Sequence, residues 1–223
     1  ATGPSYGDGT VKAREAGVLF TPVGTFRPGT DGMAALPAEL RTANRLAELG
    51  AQYFIVQLDP AEMKHGALTS LRGALADNGG VEVAQMPVAA IVARLTPAAL
   101  ARVEQLSGVM HVEPYHAALK LEPSIGRTPL RDPIKAVSEI YALELLLFPG
   151  ENAELVAGAA ARLGANVTAI WQDRVILEIH RSMLPQLAAM EPVKLVYEHL
   201  QMSPRGEETT TAMQTGEWNQ GAT

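Results

Sequence analysis

The sequence predicts an α+β protein built from two similar units in tandem, and three observations predict it. Strand and helix patterns follow one another twice in the order β-α-β-β-α-β. Apolar positions in corresponding elements recur at offsets of 84 to 88 residues. A proline-containing stretch, residues 123–137, separates the two series. With 223 residues, 47% apolar and 19% charged, the chain is long and apolar enough for packed cores in two small domains.

Residues 1–50 read as an N-terminal extension too small for a core of its own. It holds a glycine-rich start from Gly3 to Gly9, a strand from Val18 to Phe26, and a short helix from about Pro37 to Leu49. The first unit takes residues 51–122. Its opening strand, Tyr53 to Leu58, ends at Asp59-Pro60, where aspartate suits an N-cap and proline a first helical turn. The helix that follows carries Leu68, Leu71 and Leu75 on one stripe and stops at Asn78-Gly79-Gly80. A hairpin of Val81 to Gln85 and Ala89 to Leu95 turns near Met86-Pro87. Thr96-Pro97 starts a second helix with Leu100, Val103 and Leu106 inward, and the strand Val109 to Glu113 runs into Pro114.

The second unit, residues 138–203, repeats this order. Strand Tyr141 to Phe148 leads to a helix from about Glu151 to Leu163, a hairpin of Val167 to Trp171 and Arg174 to His180, another helix, and a closing strand, Val193 to Glu198. Leu68, Leu71 and Leu75 fall 88 residues before Val156, Ala159 and Leu163, while Leu100, Val103, Leu106, Val109 and Val112 fall 84 before Leu184, Leu187, Met190, Val193 and Val196. Agreement in three elements points to a tandem duplication. A unit of this order and size is the ferredoxin-like split arrangement: a four-stranded antiparallel sheet with both helices on one face. The other face is expected to stay open, available to a partner, a ligand or the other repeat. Residues 204–223 form a C-terminal tail.

Composition excludes several classes. The formal charge of −6 argues against a phosphate-backbone binder, and no nucleic-acid partner is expected. The absence of cysteine removes disulfides, thiolate metal sites and cysteine nucleophiles. The apolar stretch from Leu143 to Phe148, broken by Glu144, is far short of a membrane span, so no membrane partner is expected. The chain starts at Ala1 without a charged-then-apolar leader, which reads as a processed form or a slice of something longer. No serine sits in a Gly-x-Ser-x-Gly elbow, so no catalytic residue is assigned. His111 and Glu113 alternate on one strand with His116 nearby, but no third local ligand or His-x-x-x-His pair accompanies them, so neither metal nor cofactor is expected.

Four segments carry a family resemblance. Thr96-Pro97-Ala98-Ala99-Leu100 through Leu106-Ser107-Gly108-Val109-Met110-His111-Val112-Glu113-Pro114 resembles the second helix and last strand of the propeptides of subtilisin-like serine proteases, the subtilases. Tyr53 to Leu58 matches their opening strand, and Met190-Glu191-Pro192 through Glu198 is a weaker copy of their closing strand. Thr215 to Thr223 looks like the segment leading into the catalytic domain of large secreted subtilases. The resemblance implies a secreted proregion that serves its own protease as intramolecular folding chaperone and temporary inhibitor, its partner being the cognate catalytic domain. It further implies that carboxylates of the closing strands, Glu198 and Glu113, contact the protease near helix N-termini. The inhibitory or processing segment is implied to be either Leu200-Gln201-Met202-Ser203 or Ala212-Met213-Gln214, one or the other lying in the cleft as an added strand. The second repeat is expected to inhibit and the first to act as its scaffold. The competing reading is a small-molecule-sensing regulatory module of paired ferredoxin-like domains, with its effector held between the repeats.

Overall fold

The structure is a computed structural model that describes residues 19–21, 24–29, 36–127 and 138–199. Its class is α+β, with two four-stranded antiparallel sheets. A two-stranded hairpin comes first, β1 (Leu19–Thr21) against β2 (Gly24–Phe26), pairing Leu19 with Phe26. One strand was expected over this stretch. Pro22, which has no N–H to give a ladder, falls between the two observed strands. The single helix expected from Pro37 to Leu49 is also divided, into a 3₁₀ turn at Ala38–Leu40 and the one-turn helix α1 (Leu46–Leu49). Between them Asn44 Oδ1 accepts from Leu46 N, a local bond that competes with a continuous helix, and Thr42 Oγ is drawn to the distant Ala117 N.

The first sheet consists of β3 (Gln52–Leu58), β4 (Val81–Met86), β5 (Ala90–Leu95) and β6 (Val109–Pro114) in the order β4-β5-β3-β6. All seven residues of β3 are buried, as a central strand covered on both faces requires. Helix α2 (Ala67–Asp77) covers one face with Leu71, Ala74 and Leu75, and α3 (Pro97–Val103), capped by Thr96, adds Ala99 and Val103. Asp59 does not cap α2. Its carboxylate accepts from Ala61 N, and a 3₁₀ turn, Glu62–His65, ends at Gly66 with φ +87° before α2 starts.

The second sheet repeats the arrangement with β7 (Ile140–Leu147), α4 (Ala153–Arg162), β8 (Asn166–Ile170), β9 (Arg174–His180), α5 (Leu184–Ala189) and β10 (Val193–Glu198), ordered β10-β7-β9-β8. Leu143, Leu145, Leu147, Val175, Leu177 and Val196 meet the helices in its core. The 84-residue offset pairs buried Val103 with buried Leu187, but the 88-residue offset fails for the first helices. Val156, Ala157 and Ala160 are the buried side chains of α4, so Leu71 and Leu75 lie 85 residues before their counterparts Val156 and Ala160.

The open face expected of each sheet is not found on the first. Tyr53, Ile55, Val92 and Tyr115 on that face are sealed by Leu19 and Phe26 of the β1–β2 hairpin, by Leu119, and by Phe148 from the second unit. Phe148 stacks on Tyr53 with centroids 3.8 Å apart and meets Tyr115 edge-on at 5.5 Å. Around these rings Tyr53 Oη donates to Glu151 (2.5 Å), Tyr53 N to Glu191 (2.7 Å), and buried Lys120 Nζ to the Met190 carbonyl (2.8 Å). Leu121 then runs parallel to Val196, with Glu122 N donating to the Val196 carbonyl.

Candidate functional site

The outer face of the second sheet differs from that of the first. Among the described residues no apolar layer forms over it, and Ala142, Leu146, Leu195 and Tyr197 remain half-buried. Register places three rows there: Leu195, Leu146 and Arg174; Tyr197, Glu144, Ile176 and Ala169; and Ala142 with Glu178. His199, whose N–H donates to the Ala142 carbonyl, continues the last row.

At the centre lies Glu144, 6% exposed within an otherwise apolar strand. Its Oε1 accepts from Arg174 Nη1 (2.8 Å) and from Tyr197 Oη, and its Oε2 lies 3.3 Å from His199 Nδ1. Burial pushes this carboxyl up, but the hydrogen bonds from Tyr197, Arg174 and His199 outweigh it and hold the group below its ordinary range. Burial, then the neighbouring carboxylate, raises Tyr197 to about 12, so the phenol stays a donor at any physiological pH. Three strands thus present one satisfied cluster of a carboxylate, a guanidinium, a phenol and an imidazole, edged by leucine. Such a face can bind a surface that supplies hydrogen-bond partners around an apolar centre.

No family model and no curated protein matches this chain.

The two expected contact carboxylates are placed differently. Glu113 is 5% exposed on the outer face of the first sheet, beneath the N-terminal segment, where Gly29 N donates to its Oε2 (3.4 Å) and His116 Nε2 lies 3.8 Å away. Glu198 stands opposite Leu143, on the helix-bearing face, and its Oε1 accepts from Gly126 N (2.5 Å). The two are not equivalent: the 84-residue offset carries Glu113 onto Tyr197. Leu200, Gln201, Met202, Ser203, Ala212, Met213 and Gln214 lie outside the described residues. Sequence reasoning passed over Glu144, Arg174, Tyr197 and His199. The signal was a carboxylate interrupting the run Leu143 to Phe148, which on a strand needs partners on its own face.

A serine–histidine–glutamate series does occur at the surface. Ser182 Oγ lies 2.8 Å from His180 Nδ1, and His180 Nε2 lies 3.0 Å from Glu139. His180 also accepts from Ser182 N, and Arg181 takes the other Glu139 oxygen (2.7 Å), so the group caps the 3₁₀ turn Arg181–Met183. Among the described residues no three histidine, aspartate or glutamate side chains gather as a metal site, and no helix is long and apolar enough to cross a membrane. A cavity of about 300 Å³ lies between the N-terminal segment and the linker, lined by Phe26, Leu36, Leu40, Leu119 and Glu122.

Proposed function

We propose that this chain is the proregion of a subtilisin-like serine protease, made of two tandem ferredoxin-like units, which templates folding of its catalytic domain and inhibits it until processing. The observation that carries this reading is an asymmetry. The first sheet's outer face is filled by its own chain, whereas the second sheet keeps a half-exposed outer face, and residues 200–223 follow directly from its edge strand β10. A docking face on the unit from which the chain runs on is what a template and substrate-like inhibitor need. A catalytic domain built on a parallel sheet forms many long-range contacts and folds slowly, and a prefolded face docked on it stabilises the late, partly ordered state. The precursor would be secreted, and the catalytic activity would belong to the protease, with none in this chain.

On this reading Tyr197, Arg174 and His199 meet the protease around Leu146 and Leu195, and the first unit acts as scaffold through the Phe148 seam. Where Phe148, Tyr53 and Tyr115 meet, a small-molecule effector held between the units would have to displace stacked rings. Incubation of the full chain with purified subtilisin tests the reading. The chain is expected to inhibit, and the double variant Leu146→Ser/Leu195→Ser to weaken inhibition about tenfold or more, a loss of about 1.4 kcal/mol, with its circular dichroism unchanged. Absence of inhibition by the wild-type chain overturns it.

A further inference from the structure

The outer face of the second sheet carries a charge pattern that is complementary to itself. Along β9 that face presents Arg174, Ile176 and Glu178, a cation, an apolar side chain and a carboxylate at alternate positions. Strand β7 sets Leu146 beside Arg174, Glu144 beside Ile176 and Ala142 beside Glu178. The matching face of the first sheet is sealed by an apolar layer, whereas among the described residues none lies over this one. Within the chain Arg174 Nη1 donates to Glu144 (2.8 Å), Asp173 lies 3.5 Å from its Nε, and Asn166 donates to Glu178 Oε2 (3.2 Å). The Arg174 side chain is still 41% exposed, so a partner can reach it.

We propose that a second copy of this chain covers this face, packed sheet on sheet about a two-fold axis that crosses the strands at the level of Ile176. Such an axis reverses strand direction and keeps strand order, so β9 lies over β9 of the other copy. Arg174 of each copy then meets Glu178 of the other, Leu146 meets Ala142, and Ile176 meets its own counterpart. The alternative two-fold, running along the strands between β7 and β9, lays Arg174 over Leu146 and Glu178 over Ala142. It presses two charges against apolar side chains, and that cost selects the first arrangement. Glu144 faces its counterpart across the axis, but each carboxylate is 6% exposed and bonded to its own Arg174, Tyr197 and His199, which spread its charge.

Four strands and three rows of side chains measure roughly 20 Å by 20 Å. That puts the pair near the lower limit of specific interfaces, about 1,000 Å², and makes the dimer a weak one, half formed at about 10 to 100 µM. The second copy covers Leu146, Leu195 and Tyr197, the side chains that the proregion reading gives to the protease, so a paired copy cannot dock. The pairing itself involves no protease, and its failure leaves that reading untouched.

Sedimentation equilibrium of the full chain alone, from about 1 to about 300 µM in about 0.15 M salt, tests the proposal. The average mass should climb from 23.7 kDa towards twice that value. Glu178→Arg sets arginine against arginine and should weaken association about tenfold or more, and Arg174→Glu should do the same with carboxylates. Mixed in equal amounts, the two variants restore opposite charges at both contacts and should associate as tightly as the wild type. A wild type that stays at 23.7 kDa, or a mixture no better than either variant, overturns the proposal. Where dichroism shows that Arg174→Glu unfolds beside Glu144, a cross-link decides. The chain has no cysteine, so Ala169→Cys, on the row that meets its own copy, reports alone. A short bismaleimide should join it at least about threefold faster than Ser70→Cys on the exposed side of α2, and equal rates overturn the proposal.

Discussion

Lys120 is costly to place, because an ammonium group with 1% exposure has given up its water for one carbonyl and a nearby carboxylate. Burial lowers its pKa from 10.5 to about 8, with Glu191 pulling the other way. Burial likewise raises Glu191, the Tyr53 N–H bond and Lys120 offsetting part of it. For a base with a depressed folded value, the unfolded chain holds more protons between about pH 8 and about pH 10.5, so stability rises with pH across that window. Lys120→Met removes this term. The stability of the wild type relative to the variant, from urea unfolding at a series of pH values, should therefore climb by about 3 kcal/mol between those limits. A constant difference would show that Lys120 holds its proton as firmly in the folded seam as in the unfolded chain, so that burial does not depress it.

Glu113 and Glu198 illustrate what one residue's neighbourhood can hide. Both close a valine-bearing strand, and by motif they look alike. Alternation decides otherwise: the 84-residue offset, already visible in the valines of β6 and β10, aligns Glu113 with Tyr197 and sets Glu198 on the opposite face. That much was legible without coordinates. The partners of Glu144 were not, since Arg174, Tyr197 and His199 arrive from elements 30 to 55 residues away.

At the scale of elements, the strands and turns were legible because their signals are local. The closing strand Val193–Glu198 and the strand Arg174–His180 fall where alternation puts them. The division of the N-terminal helix and the delayed start of α2 were not, because Thr42 answers to Ala117 and Asp59 prefers its own turn. The linker end is fixed in a comparable way. Gly126 has φ +74°, gives its N–H to Glu198, and would place a Cβ 2.5 Å from Tyr141 Oη. Gly150, at φ +84°, would place one in open space. Gly126→Ala should therefore destabilise by about 2 kcal/mol and Gly150→Ala by only about 1 kcal/mol, measured by chemical denaturation. Equal losses would mean that Tyr141 moves aside freely and that the close approach holds nothing.

For the whole molecule, the decisive contact is one aromatic side chain crossing between units. Phe148, 1% exposed, completes the layer that begins with Leu19 and Phe26 and ties it to the second sheet. Phe148→Ala should cost about 3 to 4 kcal/mol and divide unfolding into two transitions seen by calorimetry. A single transition with a loss below about 1 kcal/mol would mean that the polar contacts of Tyr53 and Lys120 suffice to couple the units. This scale was the least legible, for a sequence pattern reports which side chains are apolar but not which distant surface they will cover.

The parallel contact between Leu121 and Val196 has an effect on growth of the second sheet by outside strands. By giving Glu122 N to the Val196 carbonyl, the connecting segment blunts the rim of β10, so that a foreign strand finds one fewer vacant carbonyl there. The rim left for augmentation is that of β8, three strands across, where Asn166 and Thr168 face solvent. Growth of the second sheet by edge-to-edge pairing would therefore start at β8, and a lysine placed at Thr168 would be the simplest guard against it.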